Sequence, residues 1–164
     1  MSYLIVFAVF LLASLLQSSS LPTPSISQAQ PNLILILVVG WGLARGATEG
    51  VVWALLGGVL LGLTSSVPLG AVALALLPVA LLTQLGQLRL VHDERLLALG
   101  IGFLGTFLYG AVLVIVLQTS GYAISWGQSY RYLFLPGALL NALLVTLIYP
   151  VFPWLRAALF PVRS

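Results

Sequence analysis

Charged side chains are almost absent from this chain of 164 residues, in which six basic and three acidic residues make up 5% of the sequence. Ordinary soluble domains carry roughly 25% charged residues. Hydrophobic residues account for 61% of the chain, and a chain this apolar lacks the polar surface that keeps a folded protein dissolved in water. The sequence therefore predicts a protein that folds inside a lipid bilayer.

Apolar segments separated by short polar turns predict an all-α integral membrane protein with one transmembrane domain over residues 1–164. We expect a bundle of about six transmembrane helices and little soluble structure. The predicted spans are 3–16, 31–44, 50–63, 68–85, 96–117 and 132–149, followed by a C-terminal interfacial segment over 154–162.

Two parts of this prediction have rival interpretations. The first run, Tyr3–Leu16, is short enough for a signal peptide, but no positive residue precedes it, which favours a retained helix. Residues 31–63 could form one continuous helix instead of a hairpin. That helix would bury Arg45 and Glu49 at mid-bilayer, at a cost of ~2.5–3.5 kcal/mol each, so a hairpin is the better prediction.

The arginines predict the orientation of the bundle. With six spans, both termini lie on one side, and only Arg131 falls on the other side. The positive-inside rule then predicts that both termini are cytoplasmic. Scattered arginines favour anionic lipid headgroups and form no nucleic-acid-binding patch. The arginines on the side of the termini are Arg45, Arg89, Arg95, Arg156 and Arg163.

Groups that could perform chemistry are few, so we predict no enzyme, no metal site and no cofactor. The chain has no cysteine and one histidine, His92. The acids lie in turns, and neighbours on one loop do not converge on a common point as catalysis requires. The loop over residues 87–95 is instead a candidate for contacts with cytoplasmic partners, through Arg89, Asp93, Glu94 and Arg95.

Polar and small residues inside the spans each allow two interpretations. Asn141, Thr106 and Tyr109 could line a small-molecule pocket, but hydrogen bonds between helices explain them more simply. Ala54, Gly58 and Gly62 recur at every fourth position and share one helix face, where another helix can approach closely. That helix could belong to this chain or to a partner; the partner would make this face a docking surface.

The segment over residues 31–82 has a Pro-Asn-Leu helix start, an Arg-Gly turn, a glycine-punctuated helix and a Ser-containing turn before Pro-Leu-Gly. With these features in this order, it resembles the MreD family of bacterial rod shape-determining proteins. In many members an aspartate follows a glycine at the fourth position; here Gly62 stands in its place. The matching motif positions are Pro31, Arg45, Gly46, Gly50, Gly58, Pro68 and Gly70.

This resemblance implies a non-enzymatic membrane scaffold in the cell-elongation complex of the bacterial inner membrane. MreD-like proteins bind the bitopic protein MreC, and the complex links MreB filaments to peptidoglycan synthesis by RodA and its transpeptidase. The family is also similar in architecture to the substrate-binding S components of energy-coupling factor transporters. A vitamin-binding S component is therefore the alternative function, although the small-residue motif typical of their first helix is missing here.

Overall fold

The computed structural model describes residues 2–19, 31–65, 67–88, 93–123, 127 and 135–160, and within these ranges the regular structure is helical. A helix lies at each of the six predicted span positions, and a short helix overlaps the predicted interfacial segment. The helices are α1 (Ser2–Ser19), α2 (Leu33–Arg45), α3 (Ala47–Thr64), α4 (Ala71–Leu82), α5 (Gln84–Gln87), α6 (Glu94–Thr119), α7 (Leu135–Ile148) and α8 (Val151–Leu159).

The all-α membrane fold agrees with the prediction from composition. Among the described helices, α3 and α6 are each long and apolar enough to cross a membrane, and the bent pair α7–α8 would add a third span. The stretch Tyr3–Ser19 of α1 and the helices α2 and α4 are apolar and have 10–17 residues each. At a rise of 1.5 Å per residue, α2 is about 20 Å long, less than a hydrocarbon core of ~30 Å. Six separate crossings therefore stay a prediction.

Side-chain caps set where two of the helices begin. The amide N–H of Leu35 donates to the Asn32 side chain at 3.0 Å, so Asn32 is the N-cap of α2. Pro31 therefore precedes the cap and lies outside the helix, although the predicted span 31–44 begins at this residue. Asp93 caps α6 in the same way, accepting from the N–H of Arg95 at 2.9 Å.

Helix α2 lies at the centre of the bundle. It packs against α1, α3, α4, α6, α7 and α8, and most of its side chains are buried. A helix that is apolar on all sides has no face that prefers water, so it can be surrounded by neighbours. The helices around α2 instead bury one side and expose leucine, isoleucine or valine on the other.

The last two helices follow the course of α2. They meet at a bend of 49° next to Pro150. Asn141 contacts Asn32 at the start of α2, and Arg156 contacts Ala44 near its end. Because the contacts advance along both segments in the same order, α7 and α8 run in the same direction as α2.

Candidate functional site

The turn between α2 and α3 carries a charged pair. Gly46 has φ 103° and ψ 160°, a conformation almost restricted to glycine, and this lets the chain reverse between the two helices. Nε of Arg45 donates to Oε2 of Glu49 at 2.8 Å, and the arginine's Nη2 pairs with the other carboxylate oxygen. The indole N–H of Trp41 donates to Oε2 of Glu49 at 3.1 Å. Both charges are therefore compensated where the hairpin turns.

Aromatic rings cover the arginine of this pair. The guanidinium carbon of Arg45 lies 3.9 Å from the centroid of the Phe160 ring, within cation–π range. The Tyr3 ring packs against Phe160 at 4.9 Å, and Trp41 packs against it at 6.2 Å. The start of α1, the end of α2 and the residue after α8 thus meet in one group. We name Tyr3, Trp41, Arg45, Glu49 and Phe160 the Arg45 cluster.

Helix α8 is attached to α2 at two further places. Nη1 of Arg156 donates to the carbonyl oxygen of Ala44 at 2.8 Å, which satisfies one of the free carbonyls at the end of α2. The Phe152 ring fills the space that a Cβ on Gly40 would need. Arg156 stays exposed while it makes this bond, and the Phe160 ring is partly buried against the core.

The predicted loop contacts lie beside a shallow groove of about 530 Å³ between the start of α6 and the bend at the end of α7. The phenolic OH of Tyr149 donates to Glu94 at 3.1 Å across this groove. Arg89, the fourth predicted contact, lies outside the described residues. The groove is lined by Asp93, Glu94, Arg95, Tyr149, Pro150 and Pro153.

The small-residue face of α3 packs against α4 of the same chain. A Cβ on Gly58 would lie 2.6 Å from the backbone nitrogen of Ala73, so the two backbones are in direct contact. The packing around Gly62 is looser, because the nearest atoms to a Cβ at this position would be 3.8 Å or more away. Ala54, the third member of the face, is fully buried. Close approach within the chain accounts for Gly58, and docking of a partner helix here stays a prediction that this packing does not favour.

Other motif residues define turns and a close helix contact. The N–H of Ala71 donates to the carbonyl of Pro68 at 3.1 Å, and Gly70 has φ 89°, as the third position of a type II turn requires. Gly50 faces Gly42, with 3.1 Å between its would-be Cβ and the Cα of Gly42. The Pro-Leu-Gly segment and Gly50 therefore have structural roles in connecting and packing α2, α3 and α4.

Polar side chains inside the bundle bond to one another. The buried Asn141, only 2% exposed, accepts from the backbone N–H of Asn32 at 2.8 Å and donates to Thr106 at 3.2 Å. Gln17 donates to the Asn32 side chain at 3.4 Å. The interpretation of Asn141 and Thr106 as groups that join helices is confirmed. Four helices, α1, α2, α6 and α7, meet at this network.

The arrangement is suited to packing and surface contact. The described residues contain no group of three or more His, Cys, Asp or Glu side chains placed to hold a metal ion. Glu49 and Glu94 bond to side chains on other parts of the fold, and Asp93 caps a helix. The fold and its sites thus define a helical membrane protein whose polar groups mainly join its own helices.

A comparison with known protein families identifies the family to which the chain belongs. The chain matches the model described as rod shape-determining protein MreD over residues 1–158. It therefore belongs to the MreD family, as the motif between residues 31 and 70 predicted. No curated protein and no solved structure matches the chain. The architectural likeness to transporter S components accordingly stays a prediction.

Proposed function

We propose that this protein is a non-enzymatic scaffold subunit of the bacterial cell-elongation complex. It binds the bitopic protein MreC in the inner membrane and helps regulate peptidoglycan synthesis, with MreB, RodA and its transpeptidase as further partners. The observation that carries the proposal is the family match over residues 1–158, because the family's description is determination of rod shape.

The contacts that the polar side chains make support a role as a scaffold. Asn32, Thr106 and Asn141 bond to one another between helices, and Arg45 pairs with Glu49. A protein that acts on a small molecule directs several such groups into a pocket. Here the groups stabilise the bundle, so partners would be recognised on its outer surfaces and at the ends of its helices.

A test with site-specific photo-crosslinking locates the partner without assuming which face it uses. A photoreactive amino acid is placed at an exposed position on each of four helices: Leu12 of α1, Val59 of α3, Leu104 of α6 and Leu147 of α7. The fully buried Leu76 is the matched control. We expect an adduct with MreC from one face and none from Leu76.

Mass spectrometry of the gently extracted complex provides the second readout. Recovery of MreC together with cell-wall synthesis enzymes supports the scaffold. Absence of any MreC adduct at all four exposed positions, combined with absence of MreC from the extract, contradicts it. Recovery with ATPase subunits and a coupling membrane protein would instead indicate the transporter alternative.

A further inference from the structure

We propose that α8 is a releasable latch, which swings away from α2 at the bend beside Pro150 while the rest of the bundle stays folded. In the closed position it covers the end of α2 and the arginine of the Arg45 cluster. The proposal goes beyond the scaffold function and does not depend on which partner the protein binds.

The closed position is held by few contacts. Phe152 is the one buried residue among the nine described residues of α8, whereas α7 buries five of fourteen. Leu155 and Leu159 are only partly buried against the core. Arg156 bonds to the Ala44 carbonyl, and just beyond the helix the Phe160 ring contacts the other rings of the Arg45 cluster and lies over Arg45. Segments with few buried apolar contacts open at a lower free energy than the core of the same protein.

The bend between α7 and α8 is suited to act as a hinge. Pro150 and Pro153 have no backbone N–H, so neither can donate a helical hydrogen bond across the junction. The N–H of Phe152 donates to the Tyr149 carbonyl at 3.0 Å, a short-range bond within the turn. Rotation at this point therefore breaks few backbone hydrogen bonds, and α7 keeps its own packing against α6.

Release changes the surface at the end of α2. It uncovers Gly40, frees the Ala44 carbonyl and removes the Phe160 ring from Arg45. The bonds of Arg45 to Glu49 and Tyr3 lie outside α8 and remain. On the outer side of α8, Trp154 is already 68% exposed. Such a ring favours the membrane interface, so α8 has an apolar side that can rest against lipid in either position.

Distance measurements between spin labels test the latch in the full-length protein in lipid nanodiscs. The chain has no cysteine, so Thr48→Cys and Ala158→Cys, both at exposed positions, can be labelled specifically. A methyl group at Gly40 collides with the Phe152 ring, whereas one at Gly100 meets nothing within 4 Å. We expect Gly40→Ala to add a population at longer distance and Gly100→Ala to leave the distribution unchanged.

A double-mutant cycle identifies the collision as the cause. Phe152→Ala should also open the latch, and Gly40→Ala should add little in that background because the ring is gone. Arg156→Gln should raise the open population about tenfold, since it removes a charged hydrogen bond. A second label pair, Thr48→Cys with Ser120→Cys, reports on the bundle and should not change.

Each outcome of this set decides the proposal. A single unchanged distance between Thr48 and Ala158 in every variant overturns it. If Gly40→Ala changes the distances of both label pairs, the Phe152→Ala variant decides whether α8 is a latch. This variant opens space beside Gly40 and introduces no collision. Movement of Ala158 alone in that variant supports the latch, and movement of both pairs overturns it.

Discussion

At the scale of single residues, two glycines on one face of α3 differ in how closely α4 approaches them. A methyl group at Gly58 meets the backbone of Ala73, which cannot move aside, while one at Gly62 makes only ordinary contacts. We expect Gly58→Ala to lower the free energy of unfolding by about 1–3 kcal/mol. Gly62→Ala should be neutral or stabilising by up to ~1 kcal/mol, because alanine is the better helix former. Unfolding in mixed detergent micelles measures both, and equal losses would contradict this packing.

Asn141 supports a second prediction at the same scale. Asn141→Ala leaves the backbone N–H of Asn32 without its acceptor in a buried site, which should cost about 1–3 kcal/mol of unfolding free energy. Thr146→Ala is the matched control, since Thr146 bonds only to the Ala142 carbonyl within its own helix. We expect the control to change stability by less than about 0.5 kcal/mol. A loss as large for Thr146 as for Asn141 would argue against the interhelical network.

At the scale of helices and their connections, the two turn glycines should respond differently to the same substitution. Gly70 has φ 89° and ψ −18°, near the left-handed region that asparagine tolerates, whereas Gly46 has φ 103° and ψ 160°, which asparagine rarely adopts. We expect Gly70→Asn to cost less than ~1 kcal/mol and Gly46→Asn about 1–3 kcal/mol. Thermal unfolding of the two purified variants compares them. A greater loss at Gly70 would contradict the turn geometry.

The sequence predicted the helices well because apolar runs and turn residues act locally. The hairpin at Arg45 and Gly46 and the short turn before Gly70 could be located in this way. The contacts made by the last helix could not, because Arg156 meets Ala44 across 112 residues of chain and nothing local indicates that pairing. A similar limit applies to Gly58. A small-residue face shows that a helix can approach closely, but it does not show whose helix it is.

At the scale of the whole molecule, the Arg45 cluster places both ends of the described chain together. Tyr3 near the start of α1 touches Phe160 after α8, with 4.9 Å between ring centroids. Since α6 has 26 residues and is thus about 39 Å long, its two ends lie further apart than the thickness of a hydrocarbon core of ~30 Å. Glu94 bonds to Tyr149 just before α8, which places the start of α6 towards the Arg45 cluster and its end on the far side.

This geometry, combined with the excess of arginine on the side of the termini, predicts which residues face the cytoplasm. Thr48 and Ala158 should lie inside and Ser120 outside, and all three are exposed. In a chain without cysteine, single Cys variants at these positions are compared using a membrane-impermeant maleimide on spheroplasts. We expect labelling of Ser120→Cys at once, and of Thr48→Cys and Ala158→Cys only in inverted vesicles. Labelling of Thr48→Cys from outside would show that the orientation is opposite to the predicted one. Labelling of all three variants from one side would contradict the prediction that α6 crosses the membrane.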